Sequence, residues 1–233
     1  PRLATPLWSP RRVPQPLVDA VGAQRLQSRL DGELAANQNC VIVTDGAGEL
    51  ASKSPNAVLA PASTEKLLTA VVALSTMGPD FKYETKAVAP AAPANGAVSR
   101  LWLVGAGDPG LATPEYQALI ASDPETKDEV TTPLVSLAAS IAAAGVRSIP
   151  GGVQGDDSRY DTMRYLPTWK DTYRTDGQVG PIGALTVNHG FSAFKPKPVP
   201  VDDPAVFAAG ELTRLLTDRG VEAGGDVHDG GDV

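Results

Sequence analysis

The chain has 233 residues, 42% hydrophobic and 20% charged, with a net charge of −7 and a pI near 4.8. That length suits one large domain or two small ones with a hydrophobic core. The acidic balance excludes a nucleic-acid phosphate partner, which needs a basic face, and no apolar run approaches the roughly 18 residues of a membrane span.

Pro1, Pro6, Pro10, Pro14 and Pro16 crowd residues 1–16 and predict an extended N-terminal arm. Pro1 in place of an initiator methionine reads as a processed start with the leader removed, compatible with export. Leu17, Val21, Leu26, Leu30 and Leu34 recur at helical spacing and predict a helix with one inward face. The run Cys40–Thr44, the turn Asp45–Gly48 and the return Glu49–Ser52 predict a hairpin. Cys40, the only cysteine, excludes an intrachain disulfide and is expected to be buried as a small hydrophobe. After the connector Leu59–Ala62, a helix opens at Ser63 and stops at Met77-Gly78-Pro79. Its Leu67, Leu68, Val71, Val72 and Leu74 are apolar on more than one side, which predicts a buried helix.

Beyond Pro79 the character changes. Phe81–Ala89 and Val98–Val104 read as strands, and Gly105–Gly110 as a turn. A polar loop at Ser122–Asp128 precedes a helix over Pro133–Ala144. Short strands and loops follow from Ile149 to His189, then a linker at Lys195–Pro198. Asp202-Asp203-Pro204 starts a last helix that Gly220 stops. Gly-Gly-Asp-Val at 224–227 and 230–233 reads as a turn-rich tail. The two histidines, His189 and His228, lie far apart, so neither a metal site nor a cofactor is expected.

Ser63-Thr64-Glu65-Lys66 carries the chemistry. Ser63 sits at a helix start, where unpaired N–H groups and the dipole favour an oxyanion. Lys66 lies one turn on, on the same face, so its amine reaches the serine oxygen. An ammonium is expensive to bury among apolar neighbours, and a neutral amine accepts the serine proton. A capping serine followed by a solvated lysine gives the same tetrapeptide.

The segment Leu59–Ala70 resembles the active-site segment of the serine D-alanyl-D-alanine carboxypeptidases of the class C low-molecular-mass penicillin-binding type. Three further segments resemble that family's motifs in the family's order: Leu103–Leu111 ("L-x-G-x-G-D-P-x-L"), Gly155–Asp161 ("G-x-x-D-x-x-x-F/Y-D") and Gly183–Gly190 ("S-A-L-T-V-N-x-G"). The resemblance implies an α+β fold, a β-lactamase-like transpeptidase domain whose antiparallel sheet is flanked by helices and interrupted by a large inserted α/β domain. The implied division is an arm over 1–16, the first part of the transpeptidase domain over 17–79, the inserted domain over 80–200 and a return to the transpeptidase domain over 201–233.

The implied reaction is acyl transfer, with Ser63 and Lys66 catalytic. Ser63 attacks the D-Ala-D-Ala bond of peptidoglycan stem peptides, and β-lactams acylate it in the same way. Within Trp169–Tyr173, the resemblance assigns Trp169 and Asp171 to substrate binding, towards the stem-peptide diamino acid. Asp108, Asp156 and Asp157 read as turn formers.

The family's two other motifs, S-x-N and K-T-G, complete such a site. No Lys-Thr-Gly occurs here, and Ser54-Pro55-Asn56 precedes the nucleophile and reads as a turn. The missing half is expected beyond Val233 or on a second chain. The expected place of action is the secreted, periplasmic or cell-wall space. Two alternatives stay open: a non-catalytic or truncated penicillin-binding module, and a β-lactamase- or esterase-like serine hydrolase.

Overall fold

A computed structural model describes residues 14–36, 38–225 and 228–229. The arm expected over 1–16 lies mostly outside the described residues, as does most of the repeated tail. The chain divides into two compact units, residues 1–80 and 81–233.

In the first unit, α1 (Gln15–Glu33) begins with Pro16 in its first turn, where a missing N–H costs nothing. Gln15 and Pro16, expected in the arm, are therefore helical. The hairpin of β1 (Val41–Thr44) and β2 (Glu49–Lys53) pairs Val41 with Lys53 and Val43 with Ala51. Its turn is closed by Asp45, whose Oδ1 accepts from the N–H groups of Ala47 and Gly48. Those two bonds hold the Asp45 carboxyl below the usual carboxylate range.

Helix α1 is tied to the hairpin through Gln27. Its Nε2 donates to Ser52 O at 2.9 Å and its Oε1 accepts from Ser52 N at 3.0 Å, so one side-chain amide pairs with the backbone of β2 as a neighbouring strand would. The inward face expected of α1 is not buried, since a two-stranded hairpin offers little surface to cover a helix. Cys40, expected inside, is exposed and donates from Sγ to Pro55 O at 3.2 Å. Ser54-Pro55-Asn56 is a turn, closed by Ala57 N donating to Ser54 O.

Helix α2 (Glu65–Met77) forms where expected but is not a core helix of this chain. None of its residues is buried, and Leu67 and Leu68 are each 68% exposed.

The second unit contains β3 (Lys86–Val88), β4 (Leu101–Val104), β5 (Leu111–Ala112), α3 (Pro114–Ala121), β6 (Thr132–Pro133), α4 (Leu134–Ala143), β7 (Ser148–Ile149), β8 (Val153–Asp156), α5 (Asp171–Thr175), β9 (Phe191–Ala193), β10 (Val199–Pro200), α6 (Pro204–Thr217), β11 (Glu222–Ala223) and β12 (His228–Asp229). Its sheet runs β12-β8-β4-β3, with β3 antiparallel to β4 and the other pairs parallel. In β4, Leu101 and Leu103 are buried while Trp102 and Val104 are only partly so, the period of two that a strand dictates.

Helix α6 starts on Asp203, whose Oδ1 accepts from Ala205 N at 2.8 Å and Val206 N at 2.9 Å, with Pro204 following. Its Ala205, Ala208, Leu212 and Leu216 are buried in one core with Leu103, Leu134 and Val153. Residues 201–233 were expected to return toward the transpeptidase domain; α6 itself packs on β8 and α4, within the second unit.

Helix α3 was not anticipated. Thr113 caps it by accepting from Tyr116 N, and Pro114 opens it. Arg214 of α6 ties it down, reaching Glu115 at 3.0 Å as well as Glu211 at 2.9 Å. Hydrogen bonding to Glu211 raises the affinity of Arg214 for its proton, and the Glu115 carboxyl is lowered by its own backbone N–H and by Arg214.

Candidate active site

In the first unit, Ser63 lies in a 3-10 turn, Ala62–Thr64, that runs directly into α2. Ala62, just before it, has φ +48, a left-handed conformation that costs a residue with a Cβ about 1 kcal/mol. Lys66 Nζ donates to Ser63 Oγ at 3.5 Å, the outer limit of a hydrogen bond and the reach expected of a catalytic pair before substrate tightens it. Both side chains are exposed, so the desolvation expected around Lys66 is not supplied by the described residues.

In the second unit, the three remaining sequence motifs converge. Gly105 N donates to Asp156 O at 2.8 Å, and Gly107 N to Ala184 O at 2.7 Å. A Cβ on Gly105 would sit 2.3 Å from Ala184 O, so only glycine lets β4 and the 183–190 segment meet. Asp108 and Asp156 form turns as expected, accepting from Gly110 N and Ser158 N. Asp157 does more. Its Oδ2 lies 2.5 Å from Arg164 Nη1 in a mostly buried ion pair, though the approach is not aligned as a hydrogen bond.

Asn188 is the fastener of this junction. It is buried, adopts φ +52, accepts from Thr113 N at 2.9 Å on Oδ1 and donates from Nδ2 to Thr113 Oγ1 at 3.2 Å. Asparagine tolerates the left-handed region and supplies both polar groups. Asn188→Leu is expected to cost about 3 kcal/mol, because it strands the buried Thr113 N–H and strains the backbone. Urea unfolding would read it. Asn188→Gly, which relieves the backbone alone, should recover part of the loss; equal stability of all three proteins would contradict this role.

The motifs wall a cleft of about 740 Å³, bordered by Asp108, Tyr160, Asp161, Met163, Trp169, Ile182, Thr186, His189 and Phe191 among others. Its two carboxylates, Asp108 and Asp161, face no lysine or arginine among the described lining residues. His189, at φ +55, reaches out of its wall, with Nε2 3.3 Å from Glu129 Oε1 and Nδ1 3.5 Å from Tyr116 Oη. Burial, then the Glu129 charge, push the Tyr116 hydroxyl above its usual range.

Trp169 borders this cleft and also a smaller hollow of about 210 Å³ with Tyr165, Lys170, Asp171 and Arg174. Asp171 opens α5 and borders only the hollow. Two acids share the larger cleft with Trp169: Asp108 of the Leu103–Leu111 turn, and Asp161, the last residue of the Gly155–Asp161 motif, for which the sequence suggests no role.

This is the fold of a penicillin-binding protein: penicillin binding protein 4 from Haemophilus influenzae matches with a TM-score of 0.66 over 87% of this chain and 56% of its own, at 19% identity. Residues 23–198 match the family described as D-Ala-D-Ala carboxypeptidase 3 (S13), and the chain belongs to that family. It is 33% identical over 184 residues to a D-alanyl-D-alanine carboxypeptidase of Actinomadura sp. (strain R39), covering 75% of this chain and 31% of that protein. It is 32% identical over 174 residues to a carboxypeptidase of Mycobacterium tuberculosis, covering 72% of this chain and 34% of the relative. The chain thus spans about a third of the length of the curated relatives it matches.

Proposed function

We propose that this chain supplies the nucleophile half of a serine D-Ala-D-Ala carboxypeptidase acting on peptidoglycan stem peptides in the cell-wall space. The observation that carries the reading is Lys66 Nζ at 3.5 Å from Ser63 Oγ, at a helix start, in a chain of the S13 family. Ser63 Oγ attacks the carbonyl of the penultimate D-Ala while its proton passes to a neutral Lys66 amine. Lys66 returns that proton to the departing nitrogen, and terminal D-Ala leaves. Water then cleaves the Ser63 ester and restores the hydroxyl. A β-lactam carbonyl presents the same target to Ser63.

The remaining motifs, S-x-N and K-T-G, belong to the rest of the protein or to a second chain that packs on the apolar side of α2. The exposure of Leu67, Leu68, Val71 and Val72 supports this, because that cover would also desolvate Lys66. Residues 17–79 belong with the transpeptidase domain, and the unit beginning at residue 81 is the inserted domain.

In that unit, Trp169 packs the aliphatic stem of the diamino acid, with Asp161 in the cleft and Asp171 in the adjoining hollow drawing its amine. The absence of lysine and arginine among the described residues lining the larger cleft supports an amine over a carboxylate beside Asp161; in the hollow Asp171 stands beside Lys170 and Arg174.

Release of D-alanine from a synthetic D-Ala-D-Ala peptide by the full-length protein tests the reaction; Ser63→Ala should abolish it. Trp169→Ala is expected to lower kcat/KM by about tenfold, roughly 1.4 kcal/mol, for a peptide bearing a free side-chain amine. The same variant should leave a peptide with alanine at that position unaffected. Equal losses on both peptides would remove Trp169 from side-chain recognition.

A further inference from the structure

A second groove, of about 510 Å³, lies beside the first and shares Asp108 with it. Its walls come from the segment entering β3 (Tyr83, Glu84, Lys86), the start of β5 (Leu111) and the β6–α4 junction (Thr132, Ser136, Ser140). Ser136 and Ser140 are four apart on one face of α4, with Thr132 of β6 four residues before Ser136. The groove therefore offers the hydroxyl residues Tyr83, Thr85, Thr132, Ser136 and Ser140 and two carboxylates beside apolar Leu111, Pro133 and Leu137.

The one cation in the lining, Lys86, is engaged by Glu84 at 3.0 Å, so the groove is unsuited to an anion. At its rim, Tyr83 is 40% exposed and held edge to face against the equally open Phe81, with ring centroids 5.1 Å apart. An exposed, propped aromatic ring offers a flat apolar surface with a polar tip. Hydroxyl and carboxylate groups beside apolar side chains match a ligand that is apolar on its ring faces and rich in hydroxyls at its edges. The volume falls within the range of small-ligand clefts. Strand β3 is an edge strand, but at three residues it is too short to recruit a peptide by pairing.

We propose that the groove lined by Tyr83, Glu84, Asp108, Thr132, Ser136 and Ser140 binds a neutral, hydroxyl-rich saccharide, with Tyr83 stacked on a sugar ring. The assignment stands on the groove's own residues and not on Ser63, so it survives or fails independently of the acyl-transfer reading.

The test is titration of the chain with a trimer of N-acetylglucosamine, followed by calorimetry and by the amide resonances of residues 81–86 and 132–140. Saturable binding is expected, weakened by about tenfold or more in Tyr83→Ala and in the double variant Ser136→Ala/Ser140→Ala. Both substitutions fall on exposed side chains, and circular dichroism checks that the fold is intact. Trp169→Ala, in the first cleft, should leave saccharide binding unchanged. Absence of saturable binding overturns the proposal. So does loss of binding in Trp169→Ala but not in Tyr83→Ala, which would put the sugar in the first cleft. A groove that takes a peptide and not the sugar also overturns it.

Discussion

Gly155→Val is expected to destroy the cooperative unfolding of the second unit. Gly155 lies in β8, paired with Leu103 of β4 on one side and Asp229 of β12 on the other. A Cβ there would sit 2.3 Å from Ala205 O and 2.6 Å from Ala205 C, backbone atoms at the start of α6. No rotamer change relieves a clash with backbone. The strand is held on both edges, so α6 must lift away from the sheet. That would open the core around Leu103, Val153, Leu212 and Leu216, all essentially inaccessible to water. A loss of more than about 3 kcal/mol is expected, at the upper end of overpacking effects.

Gly210, in α6 itself, is the contrasting case. Nothing lies within 4 Å of a Cβ built there. Gly210→Ala should be neutral or stabilise by up to about 1 kcal/mol through helix propensity. Thermal unfolding of the two variants separates close approach from generic glycine effects. Comparable midpoints would contradict the account of β8 and α6.

Lys66→Met is expected to lower the rate of D-alanine release by about 10³-fold or more, within the span of lost general acid–base catalysis. The substitution keeps the length and helix propensity of the side chain at an exposed position, so folding should not change. Lys66→Arg distinguishes base from charge. Arginine preserves a cation near Ser63 but does not deprotonate in a protein. If Lys66 takes the serine proton, the arginine variant is as inactive as the methionine variant. Substantial activity in Lys66→Arg would make Lys66 a fixed charge and not a base.

Local signals made much of the architecture legible. The hairpin of β1 and β2 follows from β-branched residues around Asp45–Gly48, and α6 from Asp203-Pro204 and its apolar spacing. Helix α3 carried equally good signals in Thr113-Pro114-Glu115, but they stood behind a glycine-rich turn and were passed over. The inward face expected of α1 and the all-round burial expected of α2 follow from composition, but neither helix has a buried residue; apolar spacing says that a face is to be covered, not by which residues.

The same limit applies to the site. Ser63 and Lys66 are neighbours on one turn, so their spacing alone brought them together. Asp161 and Trp169 come together only through tertiary folding, and Asp171, nearer in sequence to Trp169, borders only the smaller hollow. No period in the sequence encodes that. Nor could sequence show that Asn188 reaches across to Thr113, 75 residues away, although the run Val187-Asn188-His189-Gly190 suits a left-handed turn.

The proposed reaction turns on acylation of Ser63, which is read by the intact mass of the full-length gene product after incubation with a penicillin, followed by peptide mapping. One added penicillin mass is expected, located on the peptide containing Leu59–Ala70 and absent in Ser63→Ala. An adduct that persists in Ser63→Ala, or that maps to another residue, would contradict it.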